Sequence, residues 1–366
     1  MNNTWQIKPL KDLCFKAGEY GLNSPAVPLE NNLPLYLRIT DITEDGYYSL
    51  EHRVSVDYFG TNKLLQKNDL LFARTGATVG KTYLHKEENN KIAFAGYLIR
   101  FIPNSSKIHP YFLSIYCQTQ AYWNWVKIFS MRSGQPGISA EEYGNLPIPV
   151  PPLSEQHRIV AVLETWDKAI SLTKRLIDQK EIQKKHLMRQ LLTPKHDWKT
   201  KKLGEILKIG HGRDYKHLKK GEIPVFGTGG YMTSVNEFLY DGETVCIGRK
   251  GTINKPFYHK GKIWTVDTLF YTYNFQNVLP KYLYYMFCTI DWLSMNEASG
   301  VPSLTAKNIE DVLIAIPTLK EQQAIAEVLS AADKEISLLK QKLAKLTEQK
   351  KGLMQVLLTG KVRLTI

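Results

Sequence analysis

Ser154-Glu155-Gln156-His157-Arg158-Ile159-Val160 opens a segment that returns as Lys320-Glu321-Gln322-Gln323-Ala324-Ile325-Ala326, 166 residues further on (Glu155 to Glu321). The offset holds without a gap through Asp167-Lys168 and Asp333-Lys334. It continues to Leu187-Met188 and Leu353-Met354, and to Leu191-Leu192-Thr193 and Leu357-Leu358-Thr359. Of the 40 aligned positions from Ser154 to Thr193, 19 are identical. Unrelated Lys/Leu-rich helices would match at roughly a tenth of positions from ordinary residue usage. The segment is therefore duplicated, and internal repetition organises the chain.

Each copy reads as a long helix. In the second, Ile325, Leu329, Ala332, Ile336, Leu339, Leu343, Leu346, Leu353 and Leu357 alternate steps of four and three, a heptad seam broken at Lys350. Thr318-Leu319-Lys320-Glu321 has the spacing of a capping box, and Gly360 stands where a helix would end. The first copy carries Ile159, Leu163, Trp166, Ile170, Ile177, Leu187 and Leu191, with Thr173, Lys180 and Lys184 interrupting, and Pro194 closes it. A 40-residue helix spans about 60 Å at 1.5 Å per residue. One small domain cannot cover such a seam, so the two helices are expected to bury each other as an antiparallel pair. Ile159, Leu163, Ile170, Leu187, Leu191, Ile325, Leu329, Ile336, Leu343, Leu353 and Leu357 would form the helix-pair or partner interface.

The repeat extends upstream more loosely. Ser133-Gly134-Gln135-Pro136 matches Ser299-Gly300-Val301-Pro302. Arg74-Thr75-Gly76 with Lys81 resembles Arg249-Lys250-Gly251 with Lys255, and Trp5 with Leu10 matches Trp198 with Leu203. Strand signals fall at Arg38–Ile42, Asp69–Arg74 and Tyr97–Phe101, then at Thr244–Gly248 and Lys262–Val266. Proline-opened helices are predicted at Pro110–Tyr116 and Pro280–Met286. The expected class is α+β. Two strand-rich α/β units, residues 1–152 and 195–317, would each be followed by a long helix, residues 153–194 and 318–366, in an internal pseudo-twofold repeat.

Charge narrows the function. Lys plus Arg is 48 against 35 acids, a net +13, which suits a polyanion such as DNA or RNA, although a basic protein without such a partner has the same composition. No run of about 18 apolar residues occurs, which excludes a membrane-spanning helix. The N-terminus lacks a secretory pattern, and four scattered cysteines without a C-x-x-C suggest neither a disulfide framework nor a zinc site. A reduced, cytoplasmic protein is expected.

The pattern resembles the DNA-specificity subunit of type I restriction–modification systems, over essentially the whole chain. The resemblance rests on Leu146–Gln156 and Ile314–Gln322, the Arg-x-Gly and Ser-Gly-x-Pro turns, and the closing Leu187–Thr193 and Leu353–Gly360. It implies a subunit that reads double-stranded DNA and does no chemistry. Two target-recognition domains would each read half of a split target, with the helices setting the spacing. Two methyltransferase subunits and restriction/translocase subunits would be its partners. The chain itself would bind no cofactor, with S-adenosylmethionine, ATP and Mg on those partners. Residues 15–132 and 210–298 do not align by eye, so two different halves and an asymmetric target follow.

A coiled-coil scaffold without DNA, or a nucleic-acid enzyme, are the competing readings. The basic excess and two unlike units oppose the scaffold. Pro151-Pro152-Leu153 lacks the flanking residues of an adenine-methyltransferase loop, and Glu348-x-Lys350 lies inside the helical repeat, so the enzyme has no motif. Gly76-Ala77-Thr78-Val79-Gly80-Lys81-Thr82 has its glycines one residue too close for a phosphate-binding loop, and a tight turn between strands accounts for them. H-E-x-x-H is missing, and no metal is expected. The DNA-contacting candidates are Arg74, Thr75, Gly76, Lys81, Arg132, Ser133, Gln135, Arg249, Lys250, Lys255 and Ser299. Solvated charge on a structural turn explains the same residues equally well.

Overall fold

Proline, glycine and the change from period-two to heptad patterning divide the chain into sixteen strands and eight α-helices among the described residues. The computed structural model describes residues 5–49, 51–88, 91–131, 134–296 and 298–364. Two units emerge: residues 1–172 with 343–366, and residues 173–342. Each contains one globular part and half of each long helix.

The first unit comprises strands β1 (Gln6–Pro9), β2 (Glu19–Tyr20), β3 (Leu35–Leu37), β4 (Leu70–Ala73), β5 (Thr82–Leu84), β6 (Ile92–Phe94), β7 (Leu98–Phe101) and β8 (Pro147–Val150). Its helices are α1 (Pro110–Tyr116), α2 (Gln120–Phe129), α3 (Ala140–Gly144) and the first half of α4 (Leu153–Leu192). The strands form a sheet of order β2-β7-β4-β5, a parallel pair β3-β6 and an antiparallel pair β1-β8. Pro147 and Pro149 are tolerated because β8 belongs to a two-stranded ribbon.

Beyond α4 lie β9 (Lys199–Lys202), α5 (Leu203–Ile206), β10 (Lys208–His211), β11 (Lys220–Gly227), β12 (Gly230–Val235), β13 (Tyr240–Gly248), β14 (Phe257–Thr265) and β15 (Leu269–Tyr273). They are followed by α6 (Pro280–Phe287), α7 (Ala306–Asp311), β16 (Leu313–Ile316) and α8 (Leu319–Leu357). Here the sheet is larger, β10-β15-β13-β14-β11-β12, with β9-β16 as a separate ribbon. Both ribbons are anchored alike: Leu10 N–H donates to Leu146 O (2.9 Å), and Leu203 N–H donates to Val312 O (2.9 Å).

One expectation fails locally. Residues 39–41 are a 3₁₀ turn rather than a strand. The Asp41 carboxylate accepts from the Arg38 backbone N–H (2.9 Å) and from its guanidinium (2.8 Å), and this local pairing outcompetes a ladder.

The long helices run antiparallel within each unit, and their ends also sink into the globular cores. In the first unit Ile159, Leu163 and Leu357 are fully or almost fully buried with Phe112 and Leu113, Leu353 packs against them, and Ile170 and Leu343 are half-buried. In the second, Ile325 and Leu329 join the core of Tyr282, Leu283 and Trp292, with Leu187 and Leu191 packed on it and Ile336 buried. Mutual burial and burial against a domain thus coexist.

The lysines that break the heptads have partners. Lys350 Nζ reaches Asp167 Oδ1 (2.5 Å) in the first unit, and Lys184 Nζ reaches Asp333 Oδ1 (2.5 Å) in the second. Lys184 and Lys350 are equivalent by the repeat, as are Asp167 and Asp333. A tyrosine from the globular part donates to each aspartate, Tyr111 to Asp167 and Tyr285 to Asp333. Lys180–Glu335 and Lys340–Glu181 add exposed pairs in the second unit.

The capping box forms only in part. Glu321 N–H donates to Thr318 Oγ1 (3.3 Å), but the Glu321 carboxylate pairs with Lys195 instead of turning back. After Leu357 the chain leaves the helix through Gly360 at φ +73°.

Candidate nucleic-acid interface

In the first unit β4 carries the chain out to Arg74, and the return to β5 needs left-handed backbone at Gly76 (φ +69°) and Gly80 (φ +90°). Gly80 N–H donates to Ala73 O, and Ala73 N–H to Lys81 O, closing the turn. Arg74 N–H donates to Tyr97 O (3.0 Å). On its other side the turn receives a distant segment: Ile138 N–H donates to Arg74 O (2.9 Å), Gly76 N–H donates to Pro136 O (3.0 Å), and Thr75 bridges Gly137. The Arg-x-Gly and x-Pro turns, sixty residues apart in sequence, lie side by side.

The second unit repeats the contacts with the distant segment. Leu304 N–H donates to Arg249 O (2.9 Å), Gly251 N–H donates to Pro302 O (2.8 Å), and Lys250 bridges Ser303. Gly251 has φ +88°. Each pair of turns runs on into a short helix capped by a hydroxyl, Ser139 for α3 and Thr305 for α7. A short helix and a strand therefore separate these turns from the long helices.

The side chains are held differently. The Arg74 guanidinium lies over the Tyr20 ring (4.7 Å to the centroid), and Tyr20 Oη accepts from Ala140 N–H (3.0 Å). Arg74 Nε is buried without a hydrogen-bond partner among the described residues. Gln135 is exposed, and its amide stands 3.1 Å from where a Cβ on Gly76 would be. Arg249 is half-exposed and donates from Nη1 to Asp267 O (3.2 Å), while Lys250, Lys255 and Ser299 are exposed. Among the described residues neither Arg74 nor Arg249 meets a carboxylate. Lys81 differs: it pairs with Glu44 (2.7 Å) and donates to Ile42 O (3.3 Å), so its charge is already matched. Arg132 and Ser133 lie outside the described residues.

Near the second pair of turns, β11 and β12 form a hairpin whose tip the sequence reading did not single out. Thr228 Oγ1 stands 3.5 Å from a Cβ placed on Gly251. Gly229-Gly230-Tyr231 was its only signal, a glycine turn before an aromatic residue.

Two further residues were read as sequence marks and turn out to be latches. Gln156 is fully buried. Its Oε1 accepts from His109 N–H (2.7 Å) and its Nε2 donates to Pro151 O (2.9 Å) and Lys107 O (3.4 Å). Gln322 does the same with Leu279 N–H (2.8 Å), Pro317 O (3.0 Å) and Asn277 O (3.0 Å). Each ties the start of a long helix to the segment entering α1 or α6. Glu155, almost fully buried, is bound by Arg363, whose hydrogen bonds hold its carboxyl below the usual range.

Comparison with known proteins matches the type I restriction modification DNA specificity domain family to residues 2–181 and again to 195–348. The chain belongs to that family. The specificity chain is accordingly a non-catalytic, DNA target-recognising subunit. It is 25% identical to a putative type I restriction enzyme MjaX specificity subunit of Methanocaldococcus jannaschii, covering 98% of this chain and 94% of that protein. It is 23% identical to the MjaVIII specificity subunit of the same organism over 93% of this chain and 89% of that protein. A crystal structure of a type I S subunit from M. genitalium aligns with a TM-score of 0.63 at 17% identity, covering 98% of this chain and 97% of the other. The fold is shared with it. Among the described residues no helix is long and apolar enough to cross a membrane.

Proposed function

We propose that each unit of the specificity chain touches one half of a split, asymmetric double-stranded DNA target through its paired turns, with Arg74 and Arg249 as the anchoring cations. The observation that carries this is the recurrence of the same main-chain frame in both units around an arginine that no carboxylate neutralises among the described residues. Structural charges are usually paired when they are partly buried; an unmatched one suits a phosphate or a guanine edge. Equivalent positions differ, Thr75 against Lys250, Gln135 against Val301 and Gly137 against Ser303, so the two half-sites need not be alike. Lys81 is set aside as a contact because Glu44 already holds it.

On this reading the chain binds no cofactor. It holds two methyltransferase subunits, one for each copy of the duplicated helical segment, and joins restriction/translocase subunits in the full complex. S-adenosylmethionine, ATP and Mg belong to those partners. The test is methylation mapping after co-expression with the methyltransferase. Arg74→Ala and Arg249→Ala should each lower modification of the full target about 10- to 150-fold, the range for one hydrogen-bonded charge. Unchanged modification by both variants rejects the paired turns as the DNA contact. Native mass measurement showing a single bound methyltransferase at saturation rejects the two-partner arrangement.

A further inference from the structure

The β11–β12 hairpin ends in a two-residue turn, Thr228-Gly229, closed by the pair Gly227 and Gly230, with Gly230 at φ +110°. Around Gly229 and Gly230 there is open space where a Cβ would stand. Tyr231 and Met232 follow at once and are 62% and 51% exposed. Large apolar side chains that a hairpin tip shows to water do not stabilise the fold.

Both are nevertheless held. Tyr231 meets the Phe226 ring edge-on (6.1 Å between centroids), and its hydroxyl shares a hydrogen bond with Ser234 Oγ (3.0 Å). Met232 Sδ lies 2.9 Å from where a Cβ on Gly227 would be, so a bulkier residue there would displace it. β12 is the edge of its sheet, so among the described residues no further strand covers the pair. The tip abuts the Arg249–Gly251 turn at Thr228. The hairpin that carries this apolar pair thus meets, at Thr228, the turn that carries Arg249 and the exposed Lys250.

The strands of the first unit have at most four residues, and none forms a comparable hairpin among the described residues. Whatever this tip reads belongs to one half-site only.

A cationic turn meeting a hairpin with exposed apolar groups matches a ligand with phosphates on its outside and apolar faces between them. In DNA those faces are the thymine methyl in the major groove and the face of a base at a partly unstacked step. Resting on the reading that the paired turns touch DNA, we propose that Tyr231 and Met232 make the apolar base contacts of the second half-site, next to phosphate contacts from Arg249 and Lys250.

The experiment uses the full-length chain co-purified with its methyltransferase subunits and a randomised DNA library, with modified sites read by sequencing. Tyr231→Ser and Met232→Ser should each lower the preference at one or two adjacent positions of the second half-site by about 5- to 150-fold, the range for one mismatched base pair. Preferences in the first half-site should not move, and melting temperatures should match the parent because both side chains are exposed. Deoxyuridine in place of thymine at the affected positions separates the two apolar partners. The parent loses the preference with the methyl if the methyl is the contact, and keeps it if the step is.

Unaltered preferences at every position overturn the proposal. So does a uniform drop over all sequences, which would assign the tip to phosphates or to a protein partner. Relaxed preference in Tyr231→Ser with unaffected Arg249→Ala would reject Arg249 as a contact and keep the hairpin. Loss in Arg249→Ala with unaffected hairpin variants would reject the hairpin alone.

Discussion

Replacing Gln156 with leucine removes a latch while conserving volume, so no cavity enters the balance. Two good hydrogen bonds disappear, to His109 N–H at 2.7 Å and to Pro151 O at 2.9 Å; the third, to Lys107 O at 3.4 Å, is too long to weigh much. Each good bond contributes about 1 kcal/mol net. Stranding the His109 N–H and the Pro151 carbonyl beside an apolar group adds about 1–3 kcal/mol. The sum is about 3–5 kcal/mol. For a unit of about 200 residues that lowers the melting temperature by about 6–20 °C. Calorimetry of the parent, Gln156→Leu, Gln322→Leu and the double variant gives the answer. The Gln322 change should cost at least as much, because all three of its bonds are 2.8–3.0 Å. The two costs should add within about 0.5 kcal/mol, since they share no partner. Hydrogen exchange should speed up at the start of α4 in one variant and of α8 in the other. A melting temperature within 1 °C of the parent for both single variants would refute the assignment of these glutamines as latches.

Three other outcomes follow from the same geometry. Asp167→Ala should destabilise the chain by about 2–4 kcal/mol by leaving Lys350 without its anion, whereas Asp167→Leu with Lys350→Leu should recover most of the loss; chemical denaturation of the full double-mutant cycle measures the coupling. Removing residues 361–366 strips Arg363 from the buried Glu155 and should cost about 3–5 kcal/mol, with Glu155→Gln restoring part of it in the shortened chain; equal melting temperatures with and without the tail would contradict this. At acid pH, Glu19 is the group to watch. Burial alone would raise its pKa, but hydrogen bonds and charge from Lys63 and Arg100 outweigh it and bring it down to about 2 from 4.5. A depressed folded pKa contributes stability that is present above the unfolded value and is lost as pH falls from about 4.5 towards 2. Glu19→Gln should therefore flatten the acid limb of the stability curve, and an unchanged slope between those values would count against the network.

Much of the architecture was legible because duplication doubles every signal. Proline before α1 and α6, the heptads of α4 and α8, and the apolar runs of β4 and β7 are local patterns with local causes. What stayed hidden depends on partners far away in sequence. Lys184 and Lys350 read as interruptions because a heptad has no symbol for an aspartate on another helix. Gln156 and Gln322 read as marks because their partners are main-chain groups, which every residue possesses. The turns at Arg74 and at Pro136 were separate motifs until the fold laid them together. Arg38–Ile42 misled in the opposite way: its alternation suited a strand, but one carboxylate, Asp41, found the Arg38 backbone first.

The frame of the paired turns is drawn in main-chain atoms. Arg74 O, Gly76 N–H and Pro136 O in one unit, and Arg249 O, Gly251 N–H and Pro302 O in the other, carry the bonds that fix it. Thr75, Gln135, Lys250 and Val301 contribute no side-chain bond to that frame among the described residues. Their side chains can be rewritten one at a time while the bonds that shape the loop persist. Only the left-handed glycines and the prolines constrain the spelling. A lineage under pressure to change what it marks as its own therefore has a short vocabulary to edit, and the grammar that holds the letters in place survives each edit.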